Sequence, residues 1–326
     1  MVKVVDGSFS HIVVTYLGNR MPKYVVKNLV YLRNTFPSKK LILITDLTEN
    51  LEIARKNEIN VFEVPPWISW SSTLANLKHS KEFRNGFWLL TLYRFKAIET
   101  FLKSHPDISI LQVEADVLVS SNFTLSDALT PQTQLAFPFV SKSAACPSVM
   151  YIRNLESLSK FINFIETTLM KDSNATDMSL LATYANSNDL IVTKLVSEPN
   201  FANNRIYDGA TYGMFLAGVD PNNTRGLTKL FYDVEEHAIK ASKYEYTLKN
   251  GELRVDFGEF SSELLCLHIH CKDEAYFSGE WPPIKLQRRI KQVGKGHRTE
   301  VNFRILIKLS VQKCRKSLLN FLPREA

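Results

Sequence analysis

Cysteine is scarce: the 326 residues hold four, Cys146, Cys266, Cys271 and Cys314, with no C-x-x-C pair among them. That excludes a disulfide framework and points to reduced thiols in a cytosol. Long apolar runs are missing as well. Nothing approaches the roughly 18–20 residues of a membrane span. The start, MVKVVDGSFSHIVVTY, has no apolar h-region, so no signal peptide is expected. Phosphate-cradling glycine loops are also lacking. No G-x-x-x-x-G-K-[ST] occurs, which excludes a P-loop NTPase. TYLGNRMPK, where a nucleotidyltransferase acting on sugar phosphates would offer a glycine-rich loop, holds a single glycine. The low apolar content of a disordered chain is not found either. Hydrophobic residues make up 45% and charged residues 22%, enough for a buried core.

The net charge of +7 is unevenly placed. From Trp281 to Ala326 there are twelve Lys and Arg against two Asp and Glu, which leaves the first 280 residues slightly acidic. This divides the chain into a main domain over 1–280 and a basic extension over 281–326. In FRILIKLSVQKCRKSLLNFL, Arg304, Lys308, Arg315 and Lys316 alternate with Ile305, Leu306, Leu309, Leu318 and Leu319. Such a segment either favours an anionic membrane surface, making the protein peripheral on the inner face of a membrane, or packs as an ordinary C-terminal helix. No RNA- or DNA-binding motif accompanies it, so no nucleic acid is expected as a partner.

Short apolar strands alternate with helices along the first half. HIVVTYLG and KKLILITD read as buried strands, the second ending at Asp46. Between them Val25, Val26, Leu29, Val30 and Leu32 follow the 3.6-residue period of a helix opened by Pro22. GFWLLTLYRFKAIETFLKSHPD is a longer helix, with Leu89, Leu92, Phe95, Ile98 and Leu102 on its apolar stripe. The alternation predicts an α/β fold with a mostly parallel sheet covered on both faces. YEYTLKNGELRVDF adds an antiparallel hairpin turning at Asn250-Gly251.

Two stretches carry chemistry. In SILQVEADVLVSSNF an apolar strand contains Glu114 and Asp116, which alternation puts on one side with Ala115 opposite. Carboxylates this close repel unless a cation lies beside them. A hard divalent ion shared with substrate phosphates is one answer; a solvated strand end is the plainer one. In LLCLHIHCKD, period two puts Cys266, His268, His270 and Lys272 on one strand face. A zinc site from Cys266, His268 and His270 has no second cysteine-rich half to support it. His268, deeper in the apolar stretch, reads as a core residue. His270, near the exit and followed by Lys272, reads as the metal ligand, with Asp116 and Glu114 as its partners.

The order of these features resembles the nucleotide-diphospho-sugar glycosyltransferases of the GT-A fold. Four segments, VEADVLVS, TDMSLLATYA, DGATYGMFLAGVDPNNTRG and LHIHCKD, are similar to a bacterial and viral subgroup of that class over roughly residues 9 to 277. The subgroup's pattern differs at Ala115, Tyr212, Met214, Phe215 and Cys271. The resemblance implies a Rossmann-like GT-A sheet, Mn2+ or Mg2+ as cofactor, a nucleoside-diphosphate sugar (UDP-linked) as donor, and a glycan or lipid-linked hydroxyl as acceptor. It implies that Asp116 binds the metal directly, that Glu114 binds it through water or holds the ribose, and that His270 completes the site. Lys272 would contact phosphate, and Thr15, Tyr16 and Asp46 would hold base and ribose. Arg94 would reach the diphosphate or pair with a carboxylate, unless it lies on a solvated helix face. Asp177 and Asp208 are the candidate catalytic residues. Asp177 would act as base or sugar anchor, against a plain helix N-cap. Asp208 would hold acceptor or sugar hydroxyls, against a turn before Gly209.

Overall fold

The computed structural model describes residues 9–66, 86–199, 204–218 and 241–293. The order of elements is β1 (His11–Thr15), α1 (Lys23–Thr35), β2 (Lys40–Thr45), α2 (Thr48–Lys56), β3 (Asn60–Glu63), α3 (Phe87–Lys103), β4 (Ile110–Val113) and β5 (Val117–Val119). There follow β6 (Leu135–Ser141), β7 (Ala144–Ala145), β8 (Val149–Ile152), α4 (Leu155–Leu169), α5 (Asp177–Ser187), β9 (Val192–Leu195), β10 (Arg205–Tyr207) and α6 (Thr211–Ala217). The last are β11 (Glu245–Lys249), β12 (Glu252–Phe257), β13 (Phe260–His268) and α7 (Ile284–Gln292).

The fold is mixed α/β. The larger sheet runs β3-β2-β1-β4-β8-β6-β7, with β9 also on β6. Pairings among β3, β2, β1 and β4 are parallel, as is β6 with β9, while β8 runs against β4 and β6. The continuous apolar reading of β1 has a direct cause: both its faces are buried. Ile12 and Val14 join one core cluster with Val25 and Leu29 of α1, and Val13 joins the other with Leu92 and Phe95 of α3. A residue alternation of two on a sheet covered from both sides demands apolar side chains at every position.

The second sheet, β10-β13-β12-β11 with β5 on β13, is larger than the hairpin expected from the sequence. That hairpin is present as β11 and β12, with Asn250 and Gly251 both at positive φ (52° and 80°). Two such residues give the turn the twist that matches its strands.

One expected strand is in fact two. SILQVEADVLVS breaks after Val113, and Glu114, Ala115 and Asp116 form a turn closed by the Val117 amide on the Glu114 carbonyl (3.0 Å). β4 belongs to the parallel sheet, whereas β5 pairs with β13 in the other. Asn28 of α1 holds the corner, its Nδ2 donating to the carbonyls of Ala115 (3.1 Å) and Val117 (2.9 Å). The acid pair therefore sits where the chain passes from one sheet to the other.

The basic extension is described only through Val293. There Leu286, Ile290 and Val293 are buried in the same core cluster as β13, so the beginning of the segment packs on the domain. The remainder of the amphipathic run lies outside the described residues. Among those described, no helix is long and apolar enough to cross a membrane.

Candidate functional site

The chain passes from β1 to β2 to β3 on one side, then returns to place β4 on the other side of β1. Parallel α/β sheets open a crevice at such a switch point, beyond the carboxyl ends of the strands. Thr15 ends β1 and Tyr16 follows it, Asp46 follows β2, and Glu114 follows β4, so all of them stand at this edge. The Asp46 carboxylate accepts from the Gly18 amide (2.8 Å), fixing the loop after β1. Thr15 Oγ1 is buried without a hydrogen-bond partner among the described residues. Burial, then the charge of Asp116, pushes the Tyr16 phenol up to about 12, so it stays a neutral donor.

Arg94 is not on a solvated face. It is 7% exposed, pairs through Nη1 with Glu114 Oε1, and donates through Nη2 to Asp177 Oδ2 at 2.8 Å. An unpaired carboxylate in such a place would cost several kcal/mol. One planar guanidinium answers two of them, a geometry that Lys cannot supply. Burial raises the Asp177 carboxyl, and sharing Arg94 with Glu114 leaves that rise only partly offset. Asp177 is also not the helix cap. Thr176 caps α5, its Oγ1 accepting from the Ser179 amide (3.3 Å) while Ser179 Oγ accepts from the Thr176 amide (2.9 Å). Relieved of that task, the Asp177 side chain turns into the buried cluster.

The histidine strand differs from its sequence reading. Regular pairing ends at His268, and the chain turns so that Lys272 has positive φ (54°). Period two therefore fails for His270 and Lys272. His268 is not an inert core residue: its Nε2 lies 3.2 Å from Asp116 Oδ1 and 3.6 Å from Glu114 Oε2. Its Nδ1 is 2.8 Å from the Gly209 carbonyl. A carbonyl only accepts, so Nδ1 carries a proton and Nε2 faces the acids. Burial works against charge on His268, but Asp116 and Glu114 outweigh it and raise its pKa well above 6.5. The His270 ring stacks on it at 3.9 Å, and burial, then the charge of His268, holds His270 neutral. His270 Nε2 is buried with no hydrogen-bond partner among the described residues. Lys272 Nζ stands 3.9 Å from Asp116 Oδ2. Burial alone would raise Asp116, but His268, Lys272 and His270 bring it well below the ordinary carboxylate range.

Asp208 is fully buried, and both its oxygens are taken by backbone amides: Oδ1 by Tyr212 (3.0 Å), Oδ2 by Gly213 (2.8 Å) and His268 (3.0 Å). It ties the start of α6 to the end of β13. Ser148 extends the tie, its Oγ donating to the Asp208 carbonyl (2.6 Å) and its own carbonyl accepting from the Glu114 amide (2.9 Å). These bonds give Asp208 a structural hold on both segments, beside the role toward acceptor or sugar hydroxyls expected of it. Asp208→Asn replaces an acceptor by a donor facing those amides and should cost about 2–3 kcal/mol in urea unfolding. A variant that keeps full stability would show that these bonds do not hold the two segments together.

Cys146 is the residue that sequence reasoning missed at this site. Its Sγ lies 3.9 Å from Glu114 Oε2 and 3.8 Å from His268 Nδ1. Burial, then Glu114, pushes the thiol up to about 11, so it is no ready nucleophile. Nothing in the spacing of AACPSV marks it. Cys266, the cysteine expected beside the histidines, is buried against the Asp208 carbonyl instead (3.9 Å).

No protein-family description matches the chain, and no curated protein matches it. Solved structures to which it is similar include PaToxG glycosyltransferase, at 11% identity and a TM-score of 0.39, over 56% of this chain and 70% of that one. A cytidylyltransferase from Leptospira borgpetersenii serovar Hardjo-bovis is 14% identical with a TM-score of 0.36, over 59% and 76%. The galactosyltransferase LgtC, in complex with donor and acceptor sugar analogs, is 15% identical with a TM-score of 0.37, over 57% and 73%.

Proposed function

We propose that this protein is a metal-dependent glycosyltransferase. It would move a sugar from a nucleoside diphosphate, UDP in the first instance, to a hydroxyl of a glycan or lipid-linked acceptor. The observation that carries the reading is the placement of two carboxylates, two imidazoles and a lysine at the switch point of a parallel sheet. Asp116, Glu114 and His270 do not form a group of donors within 4.8 Å of one another, so a divalent ion would have to draw them together. Asp116 and Glu114 offer oxygens, and His270 Nε2 is a neutral, buried nitrogen with no partner among the described residues. His268 Nε2 faces the same acids, its other nitrogen anchored to a carbonyl in the manner of metal-bound histidines. Asp116, His270 and Glu114 would hold Mn2+ or Mg2+, which when bound would neutralise charge on the leaving diphosphate.

The chain's own groups do the remaining work. Lys272, whose Nζ stands 3.9 Å from Asp116 Oδ2, would contact the phosphate. Thr15, Tyr16 and Asp46, at the ends of β1 and β2, would bind ribose and base, the Thr15 hydroxyl having no partner among the described residues. Asp177 would face sugar hydroxyls or take the acceptor proton. Arg94, which pairs with both Glu114 and Asp177, would serve by holding the two carboxylates in place. The basic run after residue 293 would bring the enzyme to an anionic membrane that carries its acceptor.

Calorimetry with UDP tests this. Binding should be at least tenfold tighter in Mn2+ than in EDTA. Equal affinity in both would remove the metal from the reading, and no binding in either would remove the nucleotide.

A further inference from the structure

Behind the oxygen-rich edge of the site lies a group of three unlike donors. Glu114 Oε2, the Cys146 sulfur and a ring nitrogen of His268 lie within 4.8 Å of one another. Glu114 Oε2 is 3.6 Å from His268 Nε2 and 3.9 Å from Cys146 Sγ. A tetrahedral ion with bonds of about 2.0–2.3 Å separates its donors by roughly 3.3–3.7 Å. The third side of the triangle runs from Cys146 Sγ to the His268 ring, 3.8 Å at Nδ1, so side-chain movement that brings the sulfur toward Nε2 would close the three around one ion.

We infer that Glu114, Cys146 and His268 form a second metal site, selective for thiophilic divalent ions such as Zn2+, Co2+ and Cd2+. Three features beyond proximity support it. Arg94 occupies Glu114 Oε1 and leaves Oε2 for an ion. The Gly209 carbonyl fixes the His268 ring with Nε2 toward the acids, as an outer partner of a metal-bound histidine does. Glu114 and a Cys146 thiolate together balance the charge of a divalent ion. On binding, the S–H bond of Cys146 breaks, its proton passes to the buffer, and a sulfur–metal bond forms; any proton on His268 Nε2 leaves likewise.

Ligand softness separates this site from the one proposed above. Mn2+ and Mg2+ prefer oxygen, whereas thiolate with imidazole selects zinc-like ions. The two sites share Glu114, so a soft ion would withdraw Glu114 from the donor edge. This consequence rests on the proposed glycosyltransferase reading: Zn2+ would inhibit a Mn2+-supported reaction, and Cys146→Ser would be resistant. The site itself does not depend on that reading.

Cobalt titration of the full chain tests the site without any turnover. Co2+ should produce a sulfur-to-cobalt charge-transfer band in the near ultraviolet and visible bands of tetrahedral intensity, at one equivalent, and Zn2+ should abolish both. Cys146→Ser should lose the charge-transfer band and lower Zn2+ affinity by more than the roughly 10–100-fold that losing an outer partner costs. Cys266→Ser, Cys271→Ser and Cys314→Ser should keep the band. Urea unfolding of Cys146→Ser in EDTA confirms that the variant folds; if it does not, Cys146→Ala replaces it. Absence of the band in the parent protein, or its survival without Cys146, would overturn the site. If the band behaves as expected while UDP binding ignores Mn2+, the soft-metal site stands and the donor-metal reading falls.

Discussion

Arg94→Met should destabilise the fold by about 3–5 kcal/mol, the cost of removing one partner from a buried ion pair. Methionine keeps the packing of the arginine stem, so the loss isolates the charge. Two carboxylates are left behind: Asp177, 4% exposed, and Glu114, its oxygen no longer paired with Nη1. The effect should appear as a lower urea midpoint at unchanged slope. Adding Asp177→Asn to Arg94→Met should restore part of the loss, since one stranded charge is then gone. A loss under about 1 kcal/mol, the range of exposed pairs, would mean that water reaches the cluster and that Arg94 is a surface residue after all.

Gly213→Ala should be nearly as damaging, for a different reason. A Cβ at this position would stand 1.7 Å from the His268 carbonyl oxygen and 2.6 Å from its carbon. Overpacking a core typically costs 1–3 kcal/mol. Here the obstacle is backbone, which no rotamer change can relieve, so a loss of about 3 kcal/mol or more is expected. To admit the methyl group, α6 must part from the end of β13, and the Asp208 bridge to the Gly213 and His268 amides breaks with it. His268 then moves away from Glu114 and Asp116, so the cobalt spectrum should weaken in any molecules that remain folded. Gly251→Ala is the control. Its φ of +80° is unfavourable, but nothing among the described residues lies within 4 Å of the added atom, so it should cost only about 1–2 kcal/mol. A loss at Gly213 no larger than at Gly251 would show that the chain relieves the close approach to the His268 carbonyl at little cost.

What the sequence determined by itself was local. β1 and β2 announce themselves because burial on both faces requires apolar residues without interruption. The Asn250-Gly251 hairpin does so because two positive φ values in succession suit few residue pairs. The acid triplet, Asp177 and the His-x-His-x-Lys run were visible as chemistry out of place in apolar surroundings. What those residues touch was decided only in three dimensions. Arg94 meets Asp177 across 83 positions, and Cys146 meets His268 across 122. The break at Glu114 that turns one expected strand into two depends on β13 arriving to pair with β5. The different parts played by His268 and His270 depend on where that pairing stops. Periodicity records the environment of a residue and its neighbours three or four places away. It carries no information about which distant segment fills the other side, because any apolar strand or buried donor of the right size satisfies the same local pattern. Topology makes that choice, and it set Arg94, Cys146 and Asp208 around the acids.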